Sequence, residues 1–331
     1  MTAMLEMKGL KKRFVKHLDI AGKIAQRLGS NIREEVVHAV DGVDLSISKG
    51  EVVGLVGESG CGKSTLGRMV AGILEPTEGQ IHYKGSIVSA MEKDEGKETA
   101  LAIQMIFQDP FASLNPRMRV EDIIGEAPVL HGIVKASEKA TYVQEVMERV
   151  GLDPDYARRY PHQFSGGQRQ RIGIARALAV KPDFLVCDEA IAALDVSIQA
   201  QVINLFMDLR KDLDLTYLFI SHDLSVVEHI SDRLVIMYLG RIVETAPTDT
   251  LFDAPNHPYT QALLNEVPRV ESRGIDYQPV SGEIPSPLDP PPGCHFHPRC
   301  PHAIERCLTE VPVLREIAPG RTSACHLNDQ S

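Results

Sequence analysis

The chain has 331 residues, 43% hydrophobic and 24% charged, with a formal net charge of −10. That is ordinary globular composition at the length of about two domains, which excludes disorder of the whole chain. No uninterrupted apolar run reaches the ~18 residues of a membrane helix, so any membrane role is expected to be peripheral, and the acidic balance argues against a global grip on nucleic acid.

Residues 1–10 have no basic head followed by an apolar run, so no secretory leader is expected. Residues 8–37 carry eight Lys or Arg against three Asp or Glu. This local +5 reads as a solvated face, the alternative being a small basic patch for a membrane surface or an acidic partner. Leu18, Ala21, Ala25, Leu28 and Ile32 recur at steps of three and four, which predicts a short surface helix within residues 15–36 despite Gly22 and Gly29. A strand is expected over His38–Ile47.

Glu51–Gly57 is a short β-branched apolar run, the pattern of a buried strand. Gly57-Glu58-Ser59-Gly60-Cys61-Gly62-Lys63-Ser64-Thr65 follows at once and fits the P-loop pattern. Leu66–Leu74 then reads as a helix stopped by Glu75-Pro76. Strand, glycine-rich loop and helix are the order that phosphate binding needs. Glycines let backbone N–H groups converge on phosphate oxygens without Cβ clashes, and the helix N-terminus adds positive potential. Lys63 is expected on the β- and γ-phosphates of ATP and the Ser64 hydroxyl on Mg²⁺.

Phe164-Ser165-Gly166-Gly167-Gln168 precedes a helical spacing at Ile172, Ala175 and Leu178, a second anion-binding helix start. One nucleotide rarely needs two such sites in one chain, so the second is expected to serve a nucleotide held by another copy. Phe184–Cys187 reads as a strand ending in Asp188 and Glu189, the Walker B arrangement. Asp188 is then a Mg²⁺ ligand through water and Glu189 the carboxylate that polarises the attacking water. Tyr217–Ile220 is a further strand, leading to His222, placed to donate a hydrogen bond to a γ-phosphate.

Taken together, the P-loop, Phe107-Gln108-Asp109-Pro110, Phe164–Gln168, Asp188-Glu189 and His222 resemble the nucleotide-binding subunits of ATP-binding-cassette (ABC) transporters over about residues 5–245. Gln108 stands where the family's Q-loop glutamine stands, contacting Mg²⁺ and water. Ala193-Leu194-Asp195 resembles its D-loop, and Phe14 the aromatic that stacks on adenine. Two departures are visible: Ala190 replaces the usual proline after the Walker B glutamate, and Phe164 the commoner leucine of the signature. Neither removes a ligand. The resemblance implies an α/β fold with a RecA-like P-loop core, an antiparallel β subdomain and a helical subdomain near residues 112–175. It also implies a head-to-tail pair of ATPase subunits, identical or homologous. Each ATP then lies between one P-loop and the other chain's Ser165-Gly166-Gly167. Two transmembrane permease subunits, and through them a periplasmic or lipid-anchored solute-binding protein, complete the implied assembly at the cytoplasmic face of the membrane.

Composition changes near residue 245: fourteen of twenty-one prolines lie at or after Pro247, and Cys294, Cys300, Cys307 and Cys325 fall in the last 38 residues. Residues 1–245 are therefore read as the ATPase body and 246–331 as a small Cys-containing extension. Pro255-Asn256-His257-Pro258-Tyr259-Thr260 and the four cysteines resemble the C-terminal extension of dipeptide and oligopeptide importer ATPases. Import of nickel, glutathione, an opine or an oligosaccharide is the alternative within this family, and a soluble cassette ATPase of DNA repair or translation the alternative outside it. Gaps of five, six and seventeen residues leave zinc and an iron–sulfur cluster both open on spacing. The resemblance implies a [4Fe–4S] cluster. The Pro-rich tail holds little apolar material, so metal ligation is expected to supply much of its order, and all nucleotide ligands are expected before residue 223.

Overall fold

The computed structural model describes residues 3–16, 18, 34–265 and 282–329, and the stripe expected within residues 15–36 falls almost wholly outside them. The strands described are β1 (Ala3–Lys16), β2 (Glu35–Ser48), β3 (Val52–Val56), β4 (Glu78–Tyr83), β5 (Ser86–Ile87) and β6 (Ile103–Ile106), then β7 (Phe184–Asp188), β8 (Thr216–Ile220), β9 (Arg233–Tyr238), β10 (Arg241–Pro247), β11 (Arg315–Ala318) and β12 (Arg321–Ser323). They form two sheets. One is antiparallel, in the order β2-β1-β4-β5. The other has the order β11-β12-β10-β9-β3-β8-β7-β6, with β9, β3, β8, β7 and β6 mutually parallel.

The central strands β3, β7 and β8 are buried at every residue, as parallel strands covered on both faces must be. Their alternation sorts side chains into two cores. Val53 and Leu55 face the layer holding Leu5, Ile47, Leu66 and Met69 from the antiparallel sheet and the helix Lys63–Val70. Val52 and Val56 face the opposite layer, which continues into the helices Val120–Leu130, Lys139–Arg149 and Gly166–Leu178 through Ile124, Val143, Met147 and Ile172. The P-loop helix stops at Val70, short of the expected Leu74, because Gly72 adopts φ +69°, a left-handed helix ending.

The tail is tied in by the protein itself. β12 pairs with β10, Glu244 opposite Ser323 and Thr245 opposite Thr322, so the tail's hairpin lengthens the central sheet. Tyr259, Leu263, Leu264 and Phe296 join the main core. Tyr238, Tyr259 and Phe296 meet with ring centroids 4.6–5.4 Å apart. Of these side chains only Phe296 lies beyond Pro285, in the segment expected to be poor in core material, and it is spent on the body's core. Glu244, fully buried, accepts the backbone N–H groups of Asn256 and His257, each at 2.8 Å. Glu244→Ala leaves both donors unpaired and is expected to cost about 3 kcal/mol. Thermal melting checks this, and an unchanged melting temperature would show that the anchor is dispensable.

Candidate active site

The carboxyl ends of β3, β8, β7 and β6 lie at one edge of the central sheet, where parallel sheets present ligand-facing loops. The loop after β3 is the P-loop. Gly62 caps its helix at φ +106°, and a Cβ there would lie 2.0 Å from the Ala39 carbonyl oxygen, so only glycine fits. The Gly240 N–H donates to the Cys61 carbonyl at 2.9 Å and holds the loop from below. The Cys61 side chain is buried and burial pushes its thiol up, so this residue offers the site its backbone only. Ser59 and Gly60 are exposed, and Ser64 and Thr65 half-buried. Lys63 is 5% exposed; its ammonium donates to the carbonyl oxygens of Gly57 at 2.7 Å and Glu58 at 2.9 Å. The lysine thus folds back over its own loop, within reach of a phosphate.

The other loops bring in the predicted carboxylates. The Ser64 hydroxyl donates to Asp188 Oδ1 at 2.7 Å. Burial raises the Asp188 pKa, opposed by that hydrogen bond and by Arg68. A buried carboxylate of this kind, with a hydroxyl on it, is a donor pair suited to a hard cation such as Mg²⁺. Glu189 has φ +46° and its N–H is fixed on the Ile220 carbonyl at 2.9 Å. Its carboxylate lies between two partners, Gln108 Nε2 donating at 2.5 Å and His222 Nδ1 at 3.2 Å. Gln108 follows β6, Glu189 follows β7 and His222 follows β8, so three separate loops converge on one carboxylate. Ala190 sits buried behind it.

Phe14 is 42% exposed near the end of β1, with the Lys12 ammonium 5.4 Å from its ring centroid, so it is not a core residue and its ring is open to a ligand. Ser165 caps the helix Gly166–Leu178 with a reciprocal pair: its hydroxyl accepts the Gln168 N–H and its N–H donates to Gln168 Oε1. Gly167 has a packing reason as well, since a Cβ there would lie 2.6 Å from Ile198 Cγ2. Asp195 opens the helix Val196–Leu213, its carbonyl accepting the N–H groups of Ile198 and Gln199 at 2.9 Å.

The cysteine quartet comes together only in part. Cys294, Cys300, Cys307 and Cys325 feel one another electrostatically, and the Cys294 N–H donates to the Cys307 carbonyl at 2.9 Å. Among the described residues, however, no group of three or more His, Cys, Asp or Glu is placed to hold a metal ion. The expected iron–sulfur ligand set is therefore not closed. Burial pushes the Cys294 thiol up to about 11 and raises Cys300 and Cys325 as well.

Two contacts at the P-loop had no sequence signal. The Tyr259 hydroxyl accepts the Glu58 N–H at 2.9 Å. The Arg299 guanidinium binds the Glu58 carboxylate with both arms, at 2.7 and 2.9 Å, across 241 positions. Both residues lie beyond residue 223, and they touch Glu58 of the loop rather than supplying a further nucleotide ligand.

Residues 40–192 match the ABC transporter family, and residues 243–307 match the C-terminal region of oligopeptide/dipeptide transporters. The chain is 50% identical to the oligopeptide transport ATP-binding protein AppF of Bacillus subtilis over 98% of this chain and 97% of that protein. It is 52% identical to YkfD of the same bacterium over 89% of this chain and 91% of that protein. Among solved structures it is similar to the ATP-binding cassette MJ0796, described as a dimer in a post-hydrolysis state bound to ADP and Pi. The TM-score is 0.62 at 25% identity, over 74% of this chain and 99% of that one. It shares the fold of cbiO1 from Clostridium perfringens, with a TM-score of 0.62 over 77% of this chain and 92% of that one, at 24% identity.

Gly62→Ala is expected to abolish MgATP binding while the rest of the chain folds, because the added methyl meets backbone on a left-handed residue. Equilibrium nucleotide titration measures it, and parental affinity would count against a phosphate-binding role for the loop.

Proposed function

The chain belongs to the ATP-binding subunits of the oligopeptide/dipeptide ABC transporters, and on that premise we propose that it hydrolyses ATP to energise peptide uptake through partner membrane subunits. The observation that carries the reading is the Glu189 carboxylate held between Gln108 and His222, beside the Ser64–Asp188 pair.

In this reading the backbone N–H groups of residues 57–65 receive the β- and γ-phosphates, and Lys63 exchanges the carbonyls of Gly57 and Glu58 for phosphate oxygens. Mg²⁺, when bound by Ser64 and Asp188 with Gln108, supplies neutralisation of charge on those oxygens. Glu189 orients the attacking water and accepts its proton as the water oxygen bonds to the γ-phosphorus, while the bond from that phosphorus to the β–γ bridging oxygen breaks and ADP leaves with its electron pair. His222, 58% exposed along its side chain, reaches the γ-phosphate as a hydrogen-bond donor. Phe14 stacks under the adenine. Ser165, Gly166, Gly167 and Gln168 face the ATP of a second ATPase subunit, with Asp195 at the same junction. The exposed, self-satisfied cap at Ser165 supports this. Residues 1–245 form the ATPase unit, with the helical region about 112–175 meeting two permease subunits, and residues 246–331 form the importer-type extension. Among the described residues no helix is long and apolar enough to cross a membrane. In this reading the subunit attaches peripherally at the cytoplasmic face through the permeases, which take solute from their binding protein.

Although the structure does not gather the four tail cysteines into a closed ligand set, we propose an iron–sulfur cluster for them, with zinc as the alternative, on donor chemistry alone, and no step of hydrolysis runs through them. Metal analysis of anaerobically purified chain tests this. About four irons per chain supports the cluster, one zinc replaces it, and neither removes the assignment.

Glu189→Gln is expected to lower steady-state hydrolysis by about 10²-fold or more while MgATP binding persists, since the phosphate contacts are untouched. Near-parental turnover would sink the assignment of Glu189.

A further inference from the structure

Glu58 is anomalous chemically. A carboxylate at the second position of a loop that gathers polyphosphate adds like charge where the ligand already carries several. Its surroundings come largely from the far end of the chain, and they hold the residue from three sides. The Tyr259 hydroxyl accepts its N–H at 2.9 Å. The Lys63 ammonium donates to its carbonyl oxygen at 2.9 Å. Arg299 takes both carboxylate oxygens, and this pair is enclosed, the Arg299 side chain 4% and the Glu58 side chain 20% exposed.

Each tail residue is itself anchored. Tyr259 follows His257, whose N–H is fixed on buried Glu244, and its ring packs on Tyr238 and Phe296. Arg299 closes the short turn His297–Arg299 directly after Phe296, and its guanidinium also reaches the Tyr238 hydroxyl at 3.4 Å. The two contacts therefore do not depend on a flexible surface reach.

We propose that Arg299 and Tyr259 are positioning residues for nucleotide binding: the C-terminal extension fixes the second residue of the P-loop and holds its carboxylate off the phosphates. When Lys63 leaves the Glu58 carbonyl for a phosphate, one of the three supports is lost. The two from the extension are what keep the loop open. The proposal rests on the P-loop being the ATP site, so Lys63→Ala serves as the separate test of that premise.

Full-length variants are titrated with MgATP and melted in parallel. Arg299→Gln is expected to weaken MgATP about tenfold, because it leaves the Glu58 carboxylate unpaired beside the phosphates. Tyr259→Phe, which keeps the ring and removes the acceptor, is expected to weaken it about threefold. The distinguishing variant is the double change Glu58→Gln with Arg299→Gln, which is expected to regain most of the affinity because the uncompensated charge is gone. A merely structural role predicts a lower melting temperature with unchanged affinity in the folded protein and no rescue by Glu58→Gln, and either result overturns the proposal. Should Arg299→Gln not fold, Arg299→Lys and Tyr259→Phe decide. Arg299→Lys keeps the charge without the fork and is expected to weaken binding about threefold, and parental affinity in both rejects the idea. Loss of ATP binding in Lys63→Ala with none in the Arg299 variants removes this inference alone. Retention in Lys63→Ala removes the premise.

Discussion

Backbone hydrogen bonds between β3 and β8 set Leu55 level with Ile220, and those between β8 and β7 set Ile220 level with Asp188. That registration decides where every reactive group ends up. The P-loop, the Asp188-Glu189 turn and the His222 loop leave the sheet side by side because their strands finish together. A slip of one residue in β7 would turn Phe184 and Val186 toward the opposite layer and carry Asp188 away from the Ser64 hydroxyl. The Glu189 N–H bonded to the Ile220 carbonyl continues the same ladder one residue past the strand, and it fixes the left-handed backbone that aims the carboxylate at Gln108 and His222.

An acidic chain that binds a polyanion has to create positive potential locally. The net charge of −10 is an average, and the nucleotide meets something else. Backbone N–H groups at a helix start, one buried lysine and a glycine-lined approach carry no opposing side-chain charge. The carboxylates nearby, Asp188 and Glu189, are held by a hydroxyl, an amide and an imidazole, partners that leave room for a cation. Glu58 is the exception, being matched instead by a guanidinium.

What the sequence made legible was local. The P-loop, the carboxylate pair after β7 and the histidine after β8 each occupy a few consecutive residues whose spacing encodes strand, turn and helix, and their meeting follows from the parallel fold. Phe14 was readable by likeness alone, since β1 gives no pattern that marks one ring as exposed. What it left unread was mostly long-range. No periodicity links Arg299 to Glu58 or Thr322 to Thr245, and nothing in the change of composition near residue 245 tells that the sheet runs on from β10 to β12. Gly167 shows a subtler limit: glycine pairs in such a loop read as ligand approach, while the distance to Ile198 shows that helix packing requires the second glycine too.

The pairing of β12 with β10 bears on how the molecule is made. Thr322 is synthesised well after Thr245, yet it completes a ladder beside it. A nascent chain that has already assembled its nucleotide loop still carries β10 as an open edge with unsatisfied N–H and C=O groups, and without Arg299 its Glu58 has no guanidinium partner. Sheet completion and completion of the P-loop's support therefore both wait on the segment from Arg299 to Ser323, so that a chain terminated before it is left with both a sticky edge and an unsupported phosphate loop.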